Sequence, residues 1–126
     1  MKNSEQNQKT QPNIVGRTFD FAVRVIGLCV KLDERAGVGR IMMGQILRAG
    51  TSVPANVEEA QAAQSRPDFV SKMSIALKEA RETHLRLRLL ATANVVPADA
   101  LNPLIQEADE IKLIIGAIIV STKRNA

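Results

Sequence analysis

The stretch LRAGTSVPANVEEAQAA, Leu47 to Ala63, decides how many helices this chain contains. Both ends have helical composition, yet Gly50, Thr51, Ser52, Val53 and Pro54 interrupt the middle. A proline inside a helix removes one hydrogen bond and presses its ring toward the carbonyl four residues back. Here that residue is Gly50, the type most tolerant of backbone adjustment. The Thr51 and Ser52 hydroxyls can bond backbone groups that the proline frees. After Pro54 the pattern resumes as ANVEEAQAA, with no segment long enough to reverse the chain. The reading is one helix from near Val38 to near Ala63, kinked over Gly50–Pro54. The alternative is two helices, with Pro54 in the first turn of the second. Asn56 follows the proline, where its amide could tie exposed carbonyls to a neighbouring helix. Gly50, Pro54 and Asn56 are therefore candidates for structural roles.

Upstream, FDFAVRVIGLCVKLDER carries two apolar stripes at helical spacing. Phe19, Ala22, Ile26 and Cys29 form one, and Phe21, Val25, Leu28 and Leu32 form the other. Together they span roughly 200° of the helix, where one core contact needs about 100°. Arg17, Arg24, Lys31 and Arg35 share the remaining face with Asp20 and Glu34, and Gly37 and Gly39 supply a C-cap and turn. Downstream, Ser65 and Asp68 have capping-box spacing with Pro67 in the first turn. The third helix then buries Phe69, Met73, Ala76, Leu77, Ala80, His84, Leu87 and Ala91, and leaves Ile75, Leu85 and Leu89 opposite its core face. NVVPADALNP is a turn, and the fourth helix starts at Pro97 or restarts at Asn102–Pro103. Its core stripe is Leu104, Ala108, Ile111, Ile115 and Ile118.

Four helices with short connections predict an all-α, up-down-up-down bundle over residues 14–126, preceded by a disordered polar tail at 1–13. Composition agrees. Hydrophobic residues are 45% and aromatics 2%, which favours an aliphatic helical core over sheets. The lone Cys29 cannot form an internal disulfide, no signal peptide is visible, and LIIGAIIV is too short to span a bilayer. A cytoplasmic protein without membrane contact is expected. The surplus apolar surface on helices one, three and four predicts subunit contact.

LRAGTSVPANVEEAQAAQSRPDFVSKMSIALKEARETHLRLRLLATANVV resembles the small bacterial four helix bundle protein family, first noticed as proteins encoded in intervening sequences of large-subunit ribosomal RNA genes. The resemblance spans about residues 18–123. It rests on Leu47–Arg48, Thr51 to Asn56, Glu59, Ser65, Phe69, Ser74 to Ala80, and Glu82. It implies a bundle that assembles as a ring-shaped homopentamer. Relatives include accessory proteins of diversity-generating retroelements, which engage nucleic acid and a reverse transcriptase through a basic surface. Related sequences often carry a Tyr-Trp pair where Leu85 and Arg86 stand here.

No enzymatic chemistry assembles from these residues. Glu58, Glu59, Glu79 and Glu82 are too poor in histidine partners for a di-metal site, because His84 is the only histidine and its spacing from Glu82 is wrong. His84 reads as an interior or interhelix residue and Cys29 as a small buried hydrophobe. GVGRIMMG lacks the Lys-Ser/Thr ending of a phosphate loop. Neither a metal nor a cofactor is expected. The formal charge is +4, of which the first thirteen residues contribute +1. The remaining excess permits an acidic partner without requiring one. Arg17, Arg24 and Lys31 recur every seven residues and so form a line; Arg81 and Arg88 form a second. These five are the candidate nucleic-acid contacts, multiplied by avidity in a ring. Two readings stand: a non-enzymatic oligomer that binds RNA or DNA through repeated basic patches, and an oligomeric adaptor for a protein partner. Missing aromatics, which would stack on bases, keep the second in play.

Overall fold

In the computed structural model the structure describes residues 13–33 and 37–125. The expected tail up to residue 12, and Glu34 and Arg35 on the polar face of the first helix, lie outside them. Four helices follow: α1 Ile14–Asp33, α2 Val38–Gln61, α3 Arg66–Thr92 and α4 Ala98–Arg124. There is no strand among the described residues. Asn13 belongs to α1 as its cap: its side-chain oxygen accepts from Gly16 N at 3.1 Å. Gly37 has φ +85°, a left-handed conformation suited to glycine, and hands the chain into α2. At α3 the Ser65 hydroxyl accepts from Asp68 N at 3.1 Å, as the capping spacing predicts. Pro97 precedes α4, and Pro103 lies within its first turns without ending it.

Four consecutive antiparallel contacts set the topology. Val25 faces Gly50 and Cys29 reaches Met43, so α1 and α2 run in opposite senses. Gln45 meets Arg86 while Arg48 meets Glu82, which sets α2 against α3. His84 meets Lys112 for α3 and α4, and Arg17 meets Glu107 for α4 and α1. Consecutive helices pack side by side, α4 closes on α1, and the backbones of the diagonal pairs do not come close. The α4–α1 seam makes the sparsest contact of the four. This is a four-helix arrangement running up, down, up, down.

The two-helix alternative for Leu47–Ala63 is excluded, because α2 continues through Pro54 as one helix. The core is aliphatic apart from Phe21: Phe21, Val25, Leu32, Ile46, Val53, Val57, Met73, Leu87, Leu101, Ile111 and Ile115 are almost wholly buried. On α1 the two expected stripes divide differently. Phe21, Ala22, Val25, Cys29 and Leu32 face inward, while Phe19, Val23, Ile26 and Val30 face outward, with Phe19 57% and Val30 62% exposed. Ile75, Leu85 and Leu89 are exposed as expected, and so are Leu113 and Val120 of α4. On α4 it is Ile119, not Ile118, that is buried at the end of the stripe. Thr83 is a buried residue that polarity hides; its hydroxyl donates to the Glu79 carbonyl at 2.8 Å and so needs no other partner.

Candidate nucleic-acid interface

The basic line of α1 separates into two parts. Arg17 grips both oxygens of the Glu107 carboxylate, and its Nη2 also lies 3.3 Å from Glu110 Oε1. The hydrogen bond to Glu107 raises the guanidinium pKa, against the lowering effect of burial. Such two-pronged pairing is geometrically specific. It neutralises Arg17 inside the α1–α4 seam and takes it out of the line. Arg24 and Lys31 are exposed. They line a groove of about 670 Å³ together with Gly27, Leu28 and Leu32 of α1 and Val96, Pro97, Ala100 and Leu104 at the start of α4.

The α3 line lies on the flank toward α4. Arg81 and Arg88 are both exposed. Arg88 borders a second depression with Ala91, Thr92, Ala98, Asn102 and Ile105. One turn earlier, His84 sits between α3 and α4. Lys112 Nζ is 3.3 Å from its Nδ1, and Asp109 Oδ1 is 3.9 Å from its Nε2. Burial lowers the His84 pKa, as do the charges of Lys112 and Arg88, while Asp109 opposes them. A lysine donor makes Nδ1 the acceptor, so the neutral ring carries its proton on Nε2, toward Asp109.

Both grooves share the first turns of α4 as a wall. Because α1 and α3 finish at the end where α4 begins, Arg24, Lys31 and Arg88 gather around that start. Arg81 lies two turns back along α3, and Arg17 is paired elsewhere. Among the described residues no carboxylate pairs with Arg24, Lys31, Arg81 or Arg88. Asp99, exposed in the first turn of α4, dilutes the positive charge there.

A third cluster escapes sequence reading. On the α2–α3 seam Arg48 Nη2 is 2.8 Å from Glu82 Oε2, and its Nη1 is 3.5 Å from Glu79 Oε2. Arg86 reaches Glu82 Oε1 at 3.2 Å and Gln45 Oε1 at 2.6 Å. Burial pushes the Glu82 carboxyl up, but hydrogen bonds from Arg86 and Arg48 outweigh it and hold the pKa below the ordinary carboxylate value. The Glu82–Arg86 spacing is visible in sequence as an i,i+4 pair; Arg48, on another helix, is not. This network clasps α2 to α3. Among the described residues, no three His, Cys, Asp or Glu side chains come together as around a metal ion.

The three structural candidates have distinct surroundings. Gly50 is buried against α1, where an added Cβ would lie 2.8 Å from Val25 Cγ1. Pro54 is buried, and the hydroxyls before it bond backward: Thr51 to the Leu47 carbonyl and Ser52 to the Arg48 carbonyl, both at 2.7 Å. Asn56 donates to the Ser52 carbonyl at 2.8 Å, a bond within α2 and not across to a neighbour.

With four helices and this geometry in place, the family can be assigned. The model of the 23S rRNA-intervening sequence proteins matches residues 11–117. The chain belongs to the 23S rRNA-intervening sequence protein family. The match runs from just before α1 to the last third of α4, and so includes every side chain of the basic lines. A crystal structure of a protein of unknown function from the S23 ribosomal protein family of Bacteroides thetaiotaomicron is similar. It is 38% identical, with a TM-score of 0.78, over 84% of this chain and 97% of that one. No protein with a curated description matches. None of the described helices is long and apolar enough to cross a membrane.

Proposed function

We propose that this member of the intervening sequence protein family is a non-enzymatic, cytoplasmic oligomer that binds nucleic acid at the end of the bundle where α4 begins. The observation that carries this reading is the meeting of Arg24, Lys31 and Arg88 around two grooves that share the start of α4 as a wall. Arg17, Arg48, Arg86 and Lys112 have carboxylate partners, whereas Arg24, Lys31 and Arg88 stand exposed around one end without any among the described residues. The ribosomal-protein name of the family of its structural neighbour fits such a surface. Contacts are to phosphate, because arginine and lysine dominate and the whole chain has neither Trp nor Tyr.

Self-assembly into a homopentameric ring completes the proposal. A closed ring larger than a dimer needs two different complementary faces on each copy. Two apolar faces are candidates. On α1, Phe19, Val23, Ile26 and Val30 are exposed at the alternating four- and three-residue spacing of a coiled-coil seam. On α4, Leu113, Ala117 and Val120 are exposed at the same spacing. The reading includes a kink in α2 at Gly50–Pro54, since Pro54 has no N–H to offer the Gly50 carbonyl. In a ring the basic ends repeat, and weak contacts add.

Fluorescence anisotropy with duplex DNA, single strands and structured RNA over a salt series tests this. Log affinity should fall linearly with log salt, and Arg24→Gln or Lys31→Gln should each reduce the slope on duplex DNA by about 0.9. The oligomer mass, read by light scattering, should stay that of wild type. No binding to any of these ligands at low salt would refute the reading and favour the protein adaptor. That second reading has its own observation. Val38 and Ile41 of α2 and Leu85 and Leu89 of α3 are exposed, and the antiparallel pairing of Gln45 with Arg86 brings them to one seam.

A further inference from the structure

The groove between α1 and the start of α4 has a composition that phosphate contact does not use. Its two cations, Arg24 and Lys31, stand two helical turns apart on one rim. Between them lies Gly27, beside which an added Cβ would meet nothing within 4 Å. Leu28, Leu32, Val96 and Leu104, each partly or almost wholly buried, form the floor, with Pro97 and Ala100 opposite the cations. At about 670 Å³ the groove falls in the range of small-molecule sites. A bare phosphate or a duplex backbone would use the rim and leave the floor wet.

We infer that this groove binds a small amphipathic anion, a carboxylate or phosphate on an aliphatic body, with the charged head on Arg24 or Lys31 and the body on the Leu28–Leu32–Val96–Leu104 floor. Charge complementarity selects the sign of the head. The aliphatic lining, which offers no aromatic ring and no buried polar side chain, selects a chain or branched alkyl body over a ring that must be read by hydrogen bonds. The missing side chain of Gly27 leaves room between the cations for a ligand to enter. The α4–α1 seam, the sparsest of the bundle, is the place where such an opening disturbs the core least.

Isothermal titration calorimetry on the full chain, with sodium decanoate below its micelle concentration, tests the site. Acetate (head alone), decyltrimethylammonium (opposite charge) and decyl phosphate (second head) serve as comparisons. Decanoate and decyl phosphate should bind once per chain, and acetate and decyltrimethylammonium at least tenfold more weakly. Arg24→Gln with Lys31→Gln should weaken decanoate at least tenfold. Gly27→Leu should abolish binding by placing an isobutyl group in the groove, with circular dichroism unchanged because the position is open. Should Gly27→Leu misfold, the chemical shifts that decanoate perturbs in wild-type protein decide: they must cluster at Gly27, Leu28, Val96 and Ala100. Equal binding of decanoate and decyltrimethylammonium, undiminished binding to the double glutamine variant, shifts elsewhere, or no heat up to millimolar decanoate would each overturn the inference.

Discussion

Replacing Gly50 by alanine sets two effects of opposite sign against each other, and the structure decides between them. In an exposed helix the change would stabilise by about 1 kcal/mol, because alanine has the higher helix propensity. Here the new methyl would meet Val25 Cγ1 at 2.8 Å, Cγ2 at 3.1 Å and Cβ at 3.3 Å. Carbon pairs settle at about 3.5–4.0 Å, so α1 or Val25 must retreat by roughly 0.7 Å or more. Val25 is fully buried and β-branched, so it has no alternative rotamer to retreat into cheaply. Overpacking of this kind costs about 1–3 kcal/mol, which leaves a net loss of about 1 kcal/mol. The sign should reverse once the valine methyls are gone: in a Val25→Ala background, Gly50→Ala should be neutral or stabilising by up to about 1 kcal/mol. The coupling in this double-mutant cycle should therefore be about 1–3 kcal/mol, well outside the additivity of independent sites. Urea unfolding of the four proteins, followed by circular dichroism at one fixed protein concentration, measures it. If Gly50→Ala equals or exceeds wild type, or the two changes are additive, the close approach of α1 and α2 at Gly50 is not what the glycine is for.

Pro54→Ala should keep helix content and raise stability by about 1 kcal/mol. Recovery of up to about 3 kcal/mol of helix propensity exceeds about 1.6 kcal/mol of lost methylene burial, and a fall in the urea midpoint would contradict this. Lys112→Met removes the cation 3.3 Å from His84 Nδ1, so the His84 pKa should rise, which proton NMR of the imidazole reads directly; an unchanged or lower value would refute the assigned contact. In wild type the lowered His84 pKa means that the unfolded chain binds the proton more readily. Its contribution to stability is then complete above about pH 6.5 and is lost as pH falls toward the folded pKa, and Lys112→Met should flatten that slope in urea midpoints taken across the window.

The regular elements were legible because their signals are local. The Ser65–Asp68 cap depends on residues three positions apart, and the structure places it where the spacing predicts; Gly37 stands at the turn but caps the start of α2 and not the end of α1, and Gly39 lies inside α2. The outward stripe of α1 was half legible. Its excess apolar width shows in the sequence, but helical spacing groups Phe19 and Ile26 with Ala22 and Cys29, which turn inward. A helix with 200° of apolar surface has no internal mark for where its core centre lies; only the packing of α2 and α4 fixes that. Gly50 was read through Pro54, four residues away in sequence. Its closest side-chain neighbour is Val25, on another helix, so the reason for a glycine there is a distance between helices that no local pattern encodes.

The same distinction governs the charges, and it changes which cations are left without a carboxylate partner among the described residues. By periodicity Arg17, Arg24 and Lys31 are equivalent members of one line. In the bundle they are not, because the antiparallel register of α1 and α4 brings Glu107 and Glu110 to the level of Arg17 and brings Val96 to Leu104 to the level of Arg24 and Lys31. One end of the line meets carboxylates and serves the fold. The other meets apolar groups that cannot neutralise it, so its charge stays available. An arginine's role on this surface therefore follows from what α4 presents at its level, and α4 switches from apolar to acidic between Ile105 and Glu107. Moving an acid across that boundary should move function with it. Leu104 and Ala100 line the Arg24–Lys31 groove, and a glutamate at the rim position, Ala100→Glu, should cancel one of the groove's two positive charges, as Glu107 cancels that of Arg17. It should weaken both nucleic-acid and decanoate binding while Gln106→Glu, exposed and outside the groove, leaves both unchanged. Equal effects of the two glutamates would mean that net charge, and not the register of α4 against α1, sets the binding surface.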